Sequence, residues 1–569
     1  MGAAEMVLLI LNAAIALAAL IVANFLLRTV IVKVLMFFGA FDPRWDRYWP
    51  RLPWRFVWRA LVGFVEWKEE NFSGGEHNAG RVHWLTQLAT PYRTGYSLIG
   101  RLRLPFGIGH YFLVGEPTER HKVFVASARS GKSVQLETEI SLMPDDAAGL
   151  FTDPKGTITE NVCYYLEARG HELCVLDPLG CTSRPSQSIN IHRQIDFINH
   201  RLGDDRTTML FDRYAAMHFP PDSNEKEYFK IAGKEGWARL NCFAKWYYPD
   251  SSPLHARHFL MHGFIEHADG DSELAMTMLW KAMERCPIYN GYVSSFGTEM
   301  LNLDHRTRSS VLSTMKGKTA YLDHPQVRAV SHRNDLNLCD LKDPTKNLII
   351  TLPAPVGDMR TTLRPWIGAI TSLSLAVMEW IPGDLRTKTR FVIEEAQALG
   401  EQALPGLGDT AALMAGMGVQ LIVVVQGMSG FRKAFPRDYQ SIIGNAQHVV
   451  FMATNEPETY DFIAEKAFGE KTVKRRKWGF LWVVERRTEP FITPDKVRRY
   501  LESERGNAIV MRNGKRSMIV KIAKSFEVLP VWMIRPDRMH GETASRAWFR
   551  ARLMRARAGQ NPTNTEIVT

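Results

Sequence analysis

The chain has 569 residues, 45% apolar, 11% aromatic and 23% charged, with no low-complexity run. That excludes a disordered or fibrous protein and is more than one hydrophobic core organises. Its formal charge of +11 and pI near 9.3 point to an anionic partner, either nucleic acid or acidic lipid, with a merely basic enzyme as the competing reading.

In chain order, the first feature is the apolar run from Met6 to Leu27, with Asn12 and Asn24 its only strongly polar residues. At 1.5 Å per residue about 22 residues span a bilayer core. Arg28, Lys33, Arg44, Arg47, Arg51, Arg55 and Arg59 follow it. The positive-inside rule then puts the N-terminus outside and the rest of the chain in the cytoplasm. A second apolar stretch, Thr29 to Phe41, is broken by Lys33 and either extends the first helix or lies at the interface, so one or two spans both fit. Residues 1–67 thus read as a membrane anchor and juxtamembrane segment. Six cysteines (Cys163, Cys174, Cys181, Cys242, Cys286, Cys339) show neither CxxC spacing nor a histidine pattern, which suits a reducing compartment and no zinc framework.

After a polar, Gly-rich connector at 68–120, short apolar runs recur at 122–126, 149–152, 173–176, 347–352, 391–393, 420–425 and 448–452. Brief, largely β-branched runs bounded by turn residues are the pattern of buried parallel strands, and helix-like segments such as Thr159 to Arg169 and Thr362 to Trp380 lie between them. The alternation predicts a doubly wound α/β sheet. It breaks once: residues 195–340 show only helical stretches, which predicts an all-helical domain inserted between two α/β parts at 68–194 and 341–538. The tail at 539–569 is basic, with five arginines around Trp548 and Phe549. It reads either as an amphipathic contact helix or as a solvated one.

Three strand ends carry chemistry. Ala126-Ser127-Ala128-Arg129-Ser130-Gly131-Lys132-Ser133 matches a P-loop apart from Ala126 at the first glycine. Such a loop wraps phosphate in backbone N–H groups. Its lysine, Lys132, neutralises the β/γ charge, and its hydroxyl, Ser133, holds Mg²⁺. Arg390-Phe-Val-Ile-Glu-Glu395 is an apolar strand ending in two acids. Glu394, where Asp is usual, is read as a Mg²⁺ ligand and Glu395 as the group that polarises attacking water. Gln426, ending Val423-Val-Val-Gln426, is placed to sense the γ-phosphate or orient water. Asp153, Asp177 and Asn455 also end strands, where ligands of open α/β sheets sit.

With these motifs in order, the sequence resembles the coupling ATPases of bacterial type IV secretion and conjugation. The match includes Gly80-Arg-Val-His-Trp84, Thr152-Asp-Pro-Lys-Gly156, Gly170-His-Glu-Leu-Cys-Val-Leu-Asp-Pro178 and Asn347-Leu-Ile-Ile-Thr-Leu-Pro353. It continues through Glu394-Glu-Ala-Gln-Ala-Leu-Gly400, Phe451-Met-Ala-Thr-Asn-Glu-Pro-Glu-Thr459 and Ile492-Thr-Pro-Asp495. The resemblance implies a RecA-like P-loop NTPase core that uses ATP and Mg²⁺, anchored in the bacterial inner membrane with a periplasmic N-terminus. It further implies a homo-oligomer, a hexamer, that delivers relaxase-bound single-stranded DNA, or protein effectors, to inner-membrane components of the secretion channel. The basic segment Lys471 to Lys477 beside Trp478 and Phe480 reads as a DNA patch or as a solvated hairpin. Departures are Ala126, Glu394 and the lack of an arginine in Ala415-Gly-Met-Gly418. They motivate a second reading, a nucleotide-binding receptor with little hydrolysis.

Overall fold

The computed structural model describes residues 92–550 apart from 94–95, 103–111, 118–119, 221–226, 384–387, 405–406, 477–483, 531–532, 537–546 and 548–549. The span at 6–27, the Gly80–Trp84 motif and most of the basic tail lie outside the described residues. Among the described residues no helix is long and apolar enough to cross a membrane. The strands are β1 (Ser97–Leu102), β2 (Phe112–Glu116), β3 (His121–Val125), β4 (Gly149–Asp153), β5 (Glu172–Val175), β6 (Leu348–Pro353), β7 (Thr389–Ile393), β8 (Val419–Val425), β9 (Ala446–Phe451), β10 (Glu470–Arg476), β11 (Val484–Pro490), β12 (Asn507–Arg512) and β13 (Lys515–Lys521). They fall in two compact units, each gathered from separate stretches: one takes the described residues of 92–119, 125–144 and 447–550, the other those of 120–124 and 145–446.

The first unit is antiparallel, in the order β2-β1-β13-β12-β9. Four of its strands, β1, β2, β12 and β13, were not expected; the first two lie in what reads as a connector. The close approach of β1 to β13 requires Gly100, since a Cβ there would fall 2.7 Å from Val520 Cγ2 and 2.8 Å from the Lys521 carbonyl. On this sheet lies helix α1 (Lys132–Ser141). Gln135 donates to the Ile99 carbonyl at 3.1 Å and accepts from the Ala523 amide at 3.2 Å. Thr138 Oγ1 donates to the Ala523 carbonyl at 2.6 Å, and Ser525 to Glu137 at 2.6 Å. Strand β1 and the chain just after β13 therefore seat the helix that follows the P-loop.

Three charged or polar side chains from three strands meet inside this unit. Glu116 Oε1 accepts from Arg512 at 2.7 Å, and Glu116 Oε2 lies 3.1 Å from His448 Nε2, with all three residues buried. Burial alone raises the Glu116 pKa. The hydrogen bonds and charges of His448 and Arg512 outweigh it and hold the carboxyl down, from the ordinary 4.5 to about 2.

The second unit has the order β3-β8-β7-β4-β6-β5, and β4, β5, β6, β7 and β8 run parallel. Every residue of β4, β6, β7 and β8 is buried, as parallel strands covered on both faces must be. His121 at the head of β3 accepts from the Leu421 amide on Nδ1 at 3.0 Å and so donates from Nε2 to the Ala411 carbonyl, 2.6 Å away. Burial lowers its pKa, which keeps the ring neutral and suited to both bonds.

Between Val175 and Leu348 every regular element among the described residues is helical. The two longest of the elements used here are α2 (Ile191–Leu202) and α3 (Glu227–Tyr247). His192 on α2 ties them: Ser251 Oγ lies 2.8 Å from its Nδ1 and Asn241 Oδ1 on α3 lies 2.9 Å from its Nε2. Burial pushes the ring pKa down to about 3, so the histidine works as a neutral bridge.

The Glu116 cluster yields a stability test with a definite sign. A carboxyl whose folded pKa is depressed contributes stability above its unfolded pKa and loses it as pH falls through the folded value. The contribution, on the order of 3 kcal/mol, should be present above pH 4.5 and vanish toward about 2. Glu116→Gln should lower the melting temperature at pH 7 and flatten its acid dependence in that window, as followed by scanning calorimetry.

Candidate nucleotide site

The P-loop leaves β3, whose five residues are all buried, and enters α1 through two left-handed residues: Arg129 at φ 61 and Gly131 at φ 89. Left-handed residues flank Ser130, a turn of the kind that can form an anion nest. Helix α1 starts with no side-chain cap, so its N-terminal dipole and N–H groups suit a phosphate. The Ser130 hydroxyl is buried with no partner among the described residues. Ser127 anchors the loop's first turn, its N–H and hydroxyl both donating to the Ala453 carbonyl at 3.1 and 2.7 Å.

Ala126, the departure from the P-loop pattern, is fully buried and is not among the positive-φ residues. An L-residue therefore fits there without a backbone penalty, and the special conformations fall at Arg129 and Gly131. Ala128 and Arg129 are exposed, while Lys132 and Ser133 are partly exposed at the helix start. This loop belongs to the first unit; Glu394, Glu395 and Gln426 belong to the second.

Within the second unit, β7 delivers Glu394 and Glu395 at its carboxyl end, both about 3% exposed. Thr152 on neighbouring β4 fixes the backbone there by donating to the Glu394 carbonyl at 3.0 Å. Glu395 is left-handed, φ 60 and ψ 44, and caps helix α4 (Ala396–Ala403). That conformation costs a non-glycine residue about 1–2 kcal/mol and marks a place where surrounding contacts over-determine the chain. Those contacts are amides: Gln426 Nε2 donates to Glu395 Oε1, and Gln397 Nε2 donates to the same oxygen at 3.0 Å. Gln397 Oε1 in turn accepts from the Gln426 backbone N–H at 3.3 Å. Glu395 and Gln426 are thus brought together, and Gln397 joins them.

The other strand-end acids do something more local. Asp153 accepts from Thr159 N and Oγ1 at 2.8 and 2.9 Å, pinning the turn after β4, and burial raises its pKa. Asp177 accepts from the Cys181 and Thr182 amides at 2.9 and 2.8 Å. Asn455 is exposed. Gln397 lies within the Glu394–Gly400 match but was given no role there, because an amide two residues into a helix has no periodicity to mark it.

Comparison with known proteins follows from this geometry. A family model described as type IV secretory system conjugative DNA transfer matches residues 269–526, a stretch that holds the acidic strand and Gln426 but begins after the P-loop. No curated protein matches the chain. Among solved structures, the unbound bacterial conjugative coupling protein TrwBΔN70 is 17% identical, with a TM-score of 0.54 over 72% of this chain and 88% of that one. The plasmid coupling protein TrwB in complex with ADP and Mg²⁺ is 15% identical, with a TM-score of 0.55 over 79% of this chain and 94% of its own. The complex of TrwB with the ATP analogue ADPNP is 17% identical, with a TM-score of 0.53 over 72% and 87%. At these identities the structures establish a shared fold. The family match over residues 269–526 makes that stretch similar to type IV secretory system conjugative DNA transfer proteins.

Proposed function

We propose that the chain is an inner-membrane coupling ATPase that recruits relaxase-bound single-stranded DNA and delivers it to a conjugative channel as a hexamer. The observation that carries this reading is the pair of nucleotide features: an uncapped helix behind a left-handed loop, and a buried glutamate held by two amides at the end of β7. The related TrwB binds ADP with Mg²⁺, and the loop here offers the same kind of ligand a phosphate nest.

In this reading Lys132 neutralises β/γ charge, while Ser133 and Glu394 hold Mg²⁺, which when bound supplies charge neutralisation at the phosphates. Glu395 accepts a proton from the water that attacks the γ-phosphorus, as the bond from that phosphorus to the β–γ bridging oxygen breaks. Gln426 orients that water. The net charge of +11 suits a path for single-stranded DNA, whose binding is driven by counterion release. The substitutions at Glu394 and in Ala415–Gly418 favour the receptor with little hydrolysis as the second reading.

Two outcomes are expected. Phosphate release by the purified chain should rise with single-stranded DNA, and it should fall to background in Lys132→Ala. Glu395→Gln should bind ATP as the native chain does while hydrolysing it about 100- to 1,000-fold more slowly. Nucleotide-dependent assembly without phosphate release in the native chain would instead establish the receptor. Separately, deletion of residues 1–67 should release the protein from the membrane fraction of lysed cells; if the shortened chain still sediments with membranes, the anchor lies elsewhere.

A further inference from the structure

We propose that Gln397 is a positioning residue that sets the Glu395 carboxylate against the end of β8, and that Gly430 is kept small to make room for it. The proposal rests on the reading of Glu395 as the group that accepts the water's proton. Gln397 touches both partners: its Nε2 reaches Glu395 Oε1 at 3.0 Å and its Oε1 receives the Gln426 backbone N–H at 3.3 Å. An amide both donates and accepts in a fixed plane, so no apolar residue of equal length can make this bridge. The bridge links the loop after β7 to the end of β8, so a shift of either strand end is felt at the same carboxylate oxygen. It also explains how the left-handed backbone at Glu395 is held, since a buried carboxylate bound by two amides cannot relax without breaking both.

Gly430 supplies the independent observation. It lies in helix α6 (Met428–Ala434; the intervening helix α5 is Leu407–Met414), and it is not among the positive-φ residues. Its backbone therefore places no demand for glycine. A Cβ at 430 would instead come within 2.7 Å of Gln397 Oε1 and 3.7 Å of its Cδ, with nothing else among the described residues inside 4 Å. The one thing that an added methyl would displace is this amide. Gly430→Ala is then a way to move Gln397 without touching any group that meets nucleotide, and alanine favours the helix more than glycine does.

The test is steady-state ATP hydrolysis by the full chain, solubilised as purified, for the native protein, Gln397→Leu, Gly430→Ala and Lys132→Ala, with melting temperatures measured alongside. A residue that positions the acceptor of the water's proton lowers kcat and leaves nucleotide binding alone. The expected result is a kcat lower by about 10- to 100-fold in both Gln397→Leu and Gly430→Ala, with KM and the binding of a non-hydrolysable ATP analogue within about 2-fold of native. The Gly430→Ala variant should melt no lower than the native chain. Native turnover in Gln397→Leu, or a change in KM with kcat intact, overturns the positioning role. Reduced kcat in Gln397→Leu with native kcat in Gly430→Ala overturns the assignment of Gly430. Hydrolysis that persists in Lys132→Ala shows that the activity arises elsewhere and sinks the underlying reading of the site, and a native chain with no turnover removes both.

Discussion

A polar side chain on a strand buried on both faces loses water and must regain a partner from the protein, which keeps such groups few. In the second unit β4, β6, β7 and β8 are buried throughout, so polar chemistry is driven to the strand ends. Two glutamates sit at the end of β7, an aspartate ends β4, and a glutamine follows β8. The same desolvation makes the glutamates costly unless they are held. Thr152 fixes the backbone of one, and two amides hold the carboxylate of the other. The site is in this sense a consequence of the sheet.

The seven apolar runs read from the sequence coincide with β3 to β9, because β-branched residues in short blocks between turns admit few other structures. Strands β1, β2, β12 and β13 of the first unit were not legible. β1 and β2 are interrupted by Gly100 and Gly115, and β13 begins and ends on lysine, so neither alternation nor a continuous apolar run is present. Part of what they do is tertiary: β1 and the chain just after β13 seat α1 through Gln135 and Thr138, a fact no local window contains.

At the site, motif and strand position located the P-loop, Glu394, Glu395 and Gln426. Side-chain partners were another matter. Asp153 and Asp177 looked equivalent to the glutamates in sequence, yet Asp153 Oδ2 and both oxygens of Asp177 bind the turns that follow them. Ala126 looked like a weakened glycine, but its position asks nothing special of the backbone; the left-handed residues are Arg129 and Gly131. Gln397 required the folded chain, since its two partners are 2 and 29 residues away.

The central claim is that the Ala126–Ser133 loop binds nucleotide through Mg²⁺. The most direct measurement is equilibrium binding of ATP to the purified chain with Mg²⁺ and with a chelator, repeated for Ser133→Ala. The account expects binding that Mg²⁺ tightens in the native chain, and loss of that Mg²⁺ dependence in the variant. Binding indifferent to Mg²⁺, or equally Mg²⁺-dependent in Ser133→Ala, would contradict it.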